Sequence, residues 1–147
     1  MEIKKDKSEI SNFWQNHSIK YLEMAFRIDK NEIIKNPDGY GKKEGDCGDT
    51  VELYLKTRGD IIETASYNVN GCLNTVACAN TIIDMIEGKT LDKAWDVIPE
   101  DVAQYLETLP EDHFHCAELA VGALYLALAN VKELRRDPWK KAYKQYY

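Results

Sequence analysis

Three of the four cysteines in this 147-residue chain lie in polar or turn-rich segments, where a thiol can react or bind a metal ion: Cys47, Cys72 and Cys116. Cys72 follows Asn70-Gly71 and precedes a run with helical spacing, so we expect it at the start of a helix. Unpaired N–H groups at a helix start favour the thiolate, which is the form that binds metals and attacks sulfur. The pattern predicts that the three segments meet at one site.

Two neighbouring residues are candidates to complete such a site. Asp49 follows Cys47 by two positions, so both side chains can point the same way and share a metal; alternatively, Asp49 only ends a loop. His115 precedes Cys116, and imidazole and thiolate both suit zinc or iron–sulfur centres. Adjacent helical residues diverge by about 100°, so this pair can bind one ion only at a helix end. The cysteine spacing matches no local zinc motif, so the residues alone give a weak metal signal.

The remaining cysteine and the other two histidines have simpler interpretations. Cys78 lies six positions after Cys72 among small and apolar residues, which predicts packing in the core. We expect His113, in an acidic turn, to be exposed, with metal binding as the alternative. His17 lies between apolar residues and is expected to hold a satisfied hydrogen bond on a helix face.

The spacing of apolar residues after position 50 predicts an α+β fold. Alternation over 51–56 and 61–69, joined by Arg58-Gly59-Asp60, predicts an antiparallel hairpin, and the residues expected on one side of its second strand are Ile61, Ala65, Tyr67 and Val69. Helical spacing then predicts a helix over 73–87, short helices that begin at Thr90 and Pro99, and a central helix over 114–134 packed on the sheet.

The two ends of the chain also show helical patterns. Helical spacing over 8–28, with a break near Ser18, predicts an amphipathic helix or helix pair. A capping-box pattern at 29–32 predicts a further short helix that ends at Asn36-Pro37, so the N-terminal helical region covers about residues 1–35. Residues 36–49 hold four glycines and predict an irregular loop. A helical tail over about 135–147 would place three aromatic residues on one face, docked on its own domain or on a partner: Trp139, Tyr143 and Tyr146. No repeat or linker divides the chain, so we expect one domain spanning 1–147.

Composition narrows the classes of function. A net charge of −6 argues against binding to nucleic acids or anionic membranes, because those partners require a basic face. The apolar run over 117–131 contains Glu118 and is shorter than the ~20 residues of a membrane span, so it predicts a buried helix. The first residues have no apolar segment typical of a secretion signal. We therefore expect a cytoplasmic protein whose cysteines are reduced.

Four segments resemble, in order and spacing, the IscU/NifU-type iron–sulfur cluster assembly scaffolds. They are Asn36-Pro37-Asp38-Gly39-Tyr40-Gly41, Cys47-Gly48-Asp49, Gly71-Cys72, and Leu109-Pro110 through His115-Cys116. The resemblance covers about residues 30–134. It implies a small antiparallel sheet covered on one face by helices, with the three cysteines converging at one tip.

The resemblance also implies a function and partners. It implies that a transient [2Fe–2S] cluster is assembled from iron and sulfur and passed to apo-proteins, and that the chain is not an enzyme. Sulfur would arrive as a persulfide from a cysteine desulfurase, with Cys116 as the main acceptor. In that role Cys116 is expected at an exposed helix start that the desulfurase can reach. Cys47, Cys72 and Cys116 would be the thiolate ligands, and Asp49 and His115 the non-cysteine ligand or exchange residues. Three thiolates with one harder ligand hold iron less firmly than four thiolates do.

This sequence departs from the family in one segment, and two other functions stay open. The family's L-P-P-V-K segment is replaced by Leu109-Pro110-Glu111-Asp112-His113, which argues against assistance by an Hsp70-type chaperone and increases the chance that His113 contacts the metal. One alternative is a zinc-binding structural or regulatory domain that uses the same residues. Another is a metal-free sulfur relay through Cys116, with His115 as the neighbouring base.

Overall fold

The computed structural model describes residues 16–141 and has an α+β architecture, as predicted. Within residues 16–141, three antiparallel strands form one sheet in the order β1-β2-β3, and five α-helices and a short 3-10 turn accompany it. In chain order the elements are α1 (Ile19–Phe26), β1 (Gly39–Glu44), β2 (Thr50–Arg58), β3 (Ile61–Asn70), α2 (Leu73–Ile86), α3 (Leu91–Trp95), α4 (Pro99–Leu106), the 3-10 turn (Glu111–His113) and α5 (Phe114–Arg136). Helix α5 packs on β1 and β2, while α2 packs on β3 and contacts α1, α4 and α5.

Buried and exposed residues alternate along β2 and β3 as the sequence predicts, except that the buried side changes once along β3. The inward residues of β2 are buried: Val51, Leu53 and Leu55. In β3 the register shifts opposite Lys56 and Thr57, so that Thr57 pairs with Ile62. As a result Ile62 is fully buried and Ile61 is 39% exposed, which corrects the prediction that Ile61 lies on the same side as Ala65 and Tyr67. A β-bulge inserts one residue and therefore reverses the sides beyond it.

The segment predicted as a loop over 36–49 contains strand β1, so that prediction is wrong in part. Gly39 pairs with Leu55, and Gly41 pairs with Leu53. A Cβ on Gly39 or Gly41 would collide with the backbone of α5, since these glycines lie directly under that helix. Glycine has a low strand propensity, so the sequence does not indicate strand β1. These glycines allow α5 to lie close to β1 and contribute no side-chain packing.

The helix boundaries agree with the signals in the sequence. Ser18 caps α1 by accepting a hydrogen bond from the Tyr21 N–H at 3.1 Å, which explains the predicted break at this residue. Thr90 caps α3 in the same way. Helix α2 ends before Gly88, whose φ of +79° is the left-handed conformation expected after a helix. Pro99 occupies the first turn of α4, as proline at a helix start should.

The short helix predicted over 29–36 is absent from the structure, and this prediction is wrong. Residues 29 and 30 form a turn, and Asn31 instead makes a parallel bridge with Tyr67 of β3. The Tyr67 N–H donates to the Lys30 carbonyl at 2.9 Å, and the Ser66 hydroxyl donates to the Glu32 carbonyl at 2.8 Å. Backbone pairing along the free edge of β3 therefore replaces the local helical hydrogen bonds that the capping pattern predicted.

The central helix α5 has its apolar surface largely covered by the rest of the fold. The segment Glu111–Arg136 is long and apolar enough to cross a membrane by length and composition, but 61% of its apolar window is buried against the rest of the protein. Its buried side chains meet those of α2 and the sheet in one core cluster. Burial of this helix supplies much of the hydrophobic stabilisation of the fold. The predictions for residues 1–15 and for Tyr143 and Tyr146 lie outside the described residues.

Candidate metal centre

The candidate ligands come from the ends of three elements that the sheet register brings together. Thr50, the first residue of β2, pairs with Asn70, the last residue of β3. This pairing places the residues before β2, including Asp49, beside the start of α2 at Cys72. The carboxylate contact is direct, because Asp49 Oδ2 accepts a hydrogen bond from the Cys72 backbone N–H at 3.3 Å.

Asp49 is held in place by the first turn of α2. Its Oδ2 atom also accepts a hydrogen bond from the hydroxyl of the buried Thr75 at 2.8 Å. Burial raises the pKa of Asp49, but the bonds from Thr75 and the Cys72 N–H, together with the thiols of Cys47 and Cys72, outweigh burial, and the net pKa is lowered. The carboxylate is therefore ionised and lies beside the Cys47 and Cys72 thiols, whereas a metal shared by Asp49 and Cys47 stays a prediction.

Cys72 occupies the helix start that the sequence predicted. It is the N-cap residue of α2, it is exposed, and its Sγ lies 3.5 Å from the Thr75 hydroxyl. Burial raises the pKa of the Cys72 thiol, but hydrogen bonds from Thr75, from the Asn74 N–H and from the Cys116 thiol lower it, so the net pKa is below the ordinary value. An exposed thiol with a lowered pKa is a ready metal ligand.

Cys116 lies in a different environment from the one the sequence indicated. It is the third residue of α5 and is fully buried, so the expectation of an exposed cysteine at this helix start is wrong. Burial raises the pKa of the Cys116 thiol, Thr75 lowers it and the neighbouring Cys72 raises it further, to a net value of about 11. Cys116 belongs to the buried core cluster, although its neighbour His115 is exposed. In the free protein this thiol is neutral at pH 7.

Two histidines flank the Cys116 thiol. His115 Nε2 lies 3.6 Å from Cys116 Sγ, and His113 Nδ1 lies 4.0 Å from the same sulfur. Ligand atoms of Cys72, His113 and Cys116 all lie within 4.8 Å of one another. His113 is partly buried rather than exposed, which corrects the simpler interpretation of the sequence, and its departure from the family motif was the signal that pointed to it.

Of the other two cysteines, Cys47 lies beside Asp49 and Cys78 packs in the core. Cys47 is exposed, and its thiol contributes to the lowered pKa of Asp49, which places it next to the carboxylate. Cys78 is fully buried in the core, as predicted. All four cysteines are free thiols. The structure thus brings together Cys72, Cys116 and the two histidines, and joins Cys47 to them through Asp49; a single cluster radius for all three sulfurs stays a prediction.

His17 lies in the bend before α1 and not on a helix face, which corrects that part of the prediction, but it has the hydrogen-bonding contact that was expected. Its Nδ1 atom lies 3.2 Å from the Thr108 hydroxyl, and its ring stacks on Tyr21 with a centroid separation of 4.0 Å. The Tyr21 hydroxyl in turn donates to Asn74 in the first turn of α2. These contacts connect α1 to the helix that carries Cys72.

Comparison with known proteins identifies relatives in sequence. The model of the NifU-like N-terminal domain matches residues 27–137. The iron–sulfur cluster assembly protein IscU of Plasmodium falciparum is 35% identical over 106 residues, which cover 72% of this chain and 64% of that protein. The scaffold protein IscU of Escherichia coli is 36% identical over 90 residues, covering 60% of this chain and 70% of that protein. The chain thus spans just under two thirds of the length of the Plasmodium relative.

Comparison with solved structures supports the fold. A putative iron–sulfur cluster assembly scaffold protein for the SUF system from Fervidobacterium islandicum superposes with a TM-score of 0.67 at 20% identity, covering 78% of this chain and 97% of that one. The N-terminal part of a NifU-like protein from Brucella abortus gives a TM-score of 0.65 at 20% identity, covering 79% and 94%. Both proteins share this arrangement of sheet and helices.

Proposed function

Since this chain belongs to the family of NifU-like N-terminal domains, we propose that it is a scaffold on which a [2Fe–2S] cluster is assembled and then transferred to apo-proteins. The observation that carries the proposal is the pairing of the Cys72 and Cys116 thiols beside an ionised Asp49 and two histidines. Thiolates suit iron–sulfur clusters, and a carboxylate or imidazole supplies the weaker ligand that allows release. The role requires no chemical turnover by the chain itself, so we propose a scaffold and not an enzyme.

In this proposal Cys47, Cys72 and Cys116 bind the cluster through sulfur, and Asp49 or His115 completes the set. The cluster is the cargo of the protein. Cys72 is exposed with a lowered pKa and is available to iron first, whereas Cys116 must lose its proton and become accessible. Asp49 is pre-positioned by Thr75, so it can exchange onto iron by a small rotation of its side chain.

Sulfur is proposed to come from a cysteine desulfurase, with Cys116 as the acceptor. The Cys116 thiolate attacks the terminal sulfur of the desulfurase persulfide; the new S–S bond forms at Cys116, and the desulfurase cysteine leaves as a thiolate. Because Cys116 is buried, the partner must open the short 3-10 turn Glu111–His113 that precedes it. Two of the three residues of that turn are exposed and none is buried, so opening it disrupts little packing.

Anaerobic reconstitution tests the scaffold proposal against its alternatives. The protein is incubated with iron, cysteine and a desulfurase, then desalted and examined by visible absorption and metal analysis. Sulfide-to-iron charge-transfer bands with two irons and two sulfides per cluster support the scaffold. A colourless protein that retains zinc against iron supports a structural or regulatory zinc domain, the second candidate, which the group of Cys72, His113 and Cys116 favours. Metal-free sulfur transfer through Cys116 supports a relay.

Two substitutions test the proposed roles. Asp49→Ala should retain the cluster through the thiolates and slow its transfer to an apo-ferredoxin, because the hardest ligand is removed from the exchange route. Faster loss of the cluster than in the parent protein contradicts this role. Under desulfurase and cysteine, mass spectrometry should find added sulfur first on Cys116, and Cys116→Ser should abolish most of it. Label that stays on Cys72 in that variant assigns acceptance to Cys72 instead.

The remaining parts of the proposal concern location and partners. We propose a cytoplasmic protein whose partners are the desulfurase and apo iron–sulfur proteins, without nucleic-acid or membrane binding and without a required Hsp70-type chaperone. The net charge of −6 and the altered Leu109–His113 segment support these choices. Fractionation of cells, and transfer assays with and without an Hsp70 system, test them directly. Chaperone-dependent acceleration of transfer would overturn the last point.

A further inference from the structure

One buried hydroxyl group in the first turn of α2 lies beside three side chains of the site. Thr75 is fully buried, and its Oγ1 atom lies 2.8 Å from Asp49 Oδ2 and 3.5 Å from Cys72 Sγ. The same hydroxyl lowers the pKa of the Cys116 thiol, so it also lies near that sulfur. A buried hydroxyl needs hydrogen-bond partners within the protein, and for Thr75 these partners belong to the site itself.

The number of hydrogen atoms limits the bonds that Thr75 can form at one time. A hydroxyl group has one hydrogen to donate and two lone pairs that accept. In this structure Thr75 donates to the Asp49 carboxylate, which can only accept. Its lone pairs remain available to the hydrogens of the Cys72 and Cys116 thiols. All three contacts are therefore compatible while both cysteines are thiols.

Metal binding makes the same three groups compete for one hydrogen. A cysteine bound to iron is a thiolate, so its sulfur accepts a hydrogen bond and has no hydrogen to donate. If Asp49 moves onto iron, the Thr75 hydroxyl loses its present acceptor, and a buried donor left unpaired is costly. The Cys72 sulfur, at 3.5 Å, is within reach of a rotation of the hydroxyl hydrogen.

We propose that Thr75 is a positioning residue whose hydroxyl donates to Asp49 before ligand exchange and to the Cys72 sulfur once Asp49 has moved onto the metal. A hydrogen bond to a ligand sulfur draws electron density from that sulfur and weakens its bond to iron. The movement of Asp49 onto iron and the loosening of Cys72 are then one coupled step, which favours release of the cargo. This role in release rests on the proposed scaffold function, whereas the exchange of the hydrogen bond does not.

Matched threonine variants separate this role from ordinary stabilisation of α2. Thr75→Val removes the hydroxyl and keeps the shape of the side chain, whereas Thr75→Ser keeps the hydroxyl. Thr81 supplies the control, because it is also buried in α2 and its hydroxyl donates to the Ala77 carbonyl at 2.8 Å. Thr81→Val therefore removes a buried hydroxyl that bonds only within the same helix.

Urea unfolding of the metal-free protein tests the bond to Asp49. Thr75→Val and Asp49→Ala should each lower the urea midpoint, and the double variant should lose less than the sum, because both substitutions remove the same bond. A double variant that loses the full sum overturns the proposed contact. Far-UV circular dichroism shows that each variant is folded before it is compared.

Cobalt(II) tests the bond to sulfur without any cluster. One equivalent of Co²⁺ is added to the reduced protein, and the sulfur-to-cobalt charge-transfer band is recorded. A hydrogen bond stabilises the sulfur electrons from which this transition starts, so its loss moves the band to lower energy. In an Asp49→Ala background the band should move in this direction when Thr75→Val is added, and it should stay in place when Thr75→Ser is added. A band that does not move with Thr75→Val overturns the proposal.

Cluster transfer to an apo-ferredoxin tests the role in release. Thr75→Val should slow transfer by about three- to tenfold, the effect of one hydrogen bond, and Thr81→Val should change it by less than about twofold. Thr75→Val should also slow transfer in the Asp49→Ala background, because the hydroxyl then donates to sulfur. No further slowing there means that Thr75 acts only through Asp49, and this result overturns the coupled step.

These measurements separate the inference from the scaffold proposal. If the parent protein assembles no cluster, the scaffold proposal fails, and the cobalt band still decides the role of Thr75. If the parent protein assembles and transfers a cluster but the cobalt band does not respond to Thr75→Val, only this inference fails.

Discussion

Gly71 controls the position of the Asp49 carboxylate, and adding one methyl group there should displace it. A Cβ built on Gly71 would lie 2.6 Å from both Cγ and Oδ2 of Asp49 and 3.0 Å from its Cβ. Gly71 does not have a left-handed φ, so alanine is not excluded by the backbone itself. The conflict in Gly71→Ala is therefore resolved by movement of the Asp49 side chain, by about 1 Å to reach ordinary contact distance.

That movement breaks the hydrogen bonds that hold the carboxylate. The 2.8 Å bond from the Thr75 hydroxyl lengthens beyond hydrogen-bonding distance, and so does the 3.3 Å bond from the Cys72 N–H. Thr75 is buried, so loss of its acceptor costs about 1–2 kcal/mol after allowance for the partly exposed carboxylate. For a domain of this size the melting temperature should fall by about 3–8 °C.

Two controls make the test specific to Asp49. Gly45→Ala places a methyl group 3.4 Å from Leu119, an ordinary contact, so it should leave stability nearly unchanged. In an Asp49→Ala background the atoms that Gly71→Ala would strike are absent, so the second substitution should add little. Stability is measured by urea unfolding, and cluster transfer from Gly71→Ala should slow as it does from Asp49→Ala. Full additivity of the two substitutions would refute the reasoning, since it means that the methyl group acts elsewhere.

Three further predictions test separate parts of the structure. Burial raises the pKa of Asp38, but Lys141 at 2.8 Å and a backbone N–H lower it, and the net pKa is lowered. Asp38→Asn should therefore reduce the free energy of unfolding by about 1 kcal/mol above about pH 5, and this difference should vanish as pH falls through the pKa of the folded protein. A difference that stays constant down to about pH 2 would contradict this prediction. In the metal-free protein, iodoacetamide should modify Cys72 at least about tenfold faster than Cys116, because the Cys72 thiol is exposed with a lowered pKa and the Cys116 thiol is buried with a raised pKa. Peptide mass spectrometry measures the two rates. Equal rates would show that the start of α5 opens freely. Gly41→Ala should destabilise by about 1–3 kcal/mol in urea unfolding, because its Cβ would strike the backbone of α5, and unchanged stability would mean that β1 can move away from the helix.

Most of the fold could be predicted from the sequence because its signals are local. The helices after residue 70 begin at N-cap residues or proline and end where the helical pattern stops, so caps and periodicity locate them. Strand β1 could not be found in this way, because Gly39 and Gly41 signal a loop until α5 is placed over them. The register shift between Lys56 and Thr57, which turns Ile62 instead of Ile61 inward, likewise depends on pairing across the sheet.

The sequence predicts which residues form the candidate site, but not how deeply each of them is buried. The helix start at Cys72 and the reach of Asp49 follow from local geometry, and the structure has both. Cys116 is buried in the core cluster, and its burial depends on tertiary packing that the residues near it in the sequence do not encode. The sequence predicts His113 as an exposed residue of an acidic turn, but it lies three positions before Cys116, and the start of α5 brings its Nδ1 to 4.0 Å from the sulfur; this contact is local, and helical spacing could have indicated it.

The thiols of Cys72 and Cys116 differ in exposure and in pKa, and this difference sets the order in which they would bind a cation. Cys72 is exposed and favours the thiolate, whereas Cys116 lies behind it, buried and protonated. In the proposed scaffold, a soft cation therefore binds Cys72 first, and its charge favours loss of the proton from Cys116. The ligands lie at the ends of elements, where local opening costs least, while the sheet and α5 beneath them are firmly packed. A site assembled from such ends can take up and release its cargo without disturbing the core.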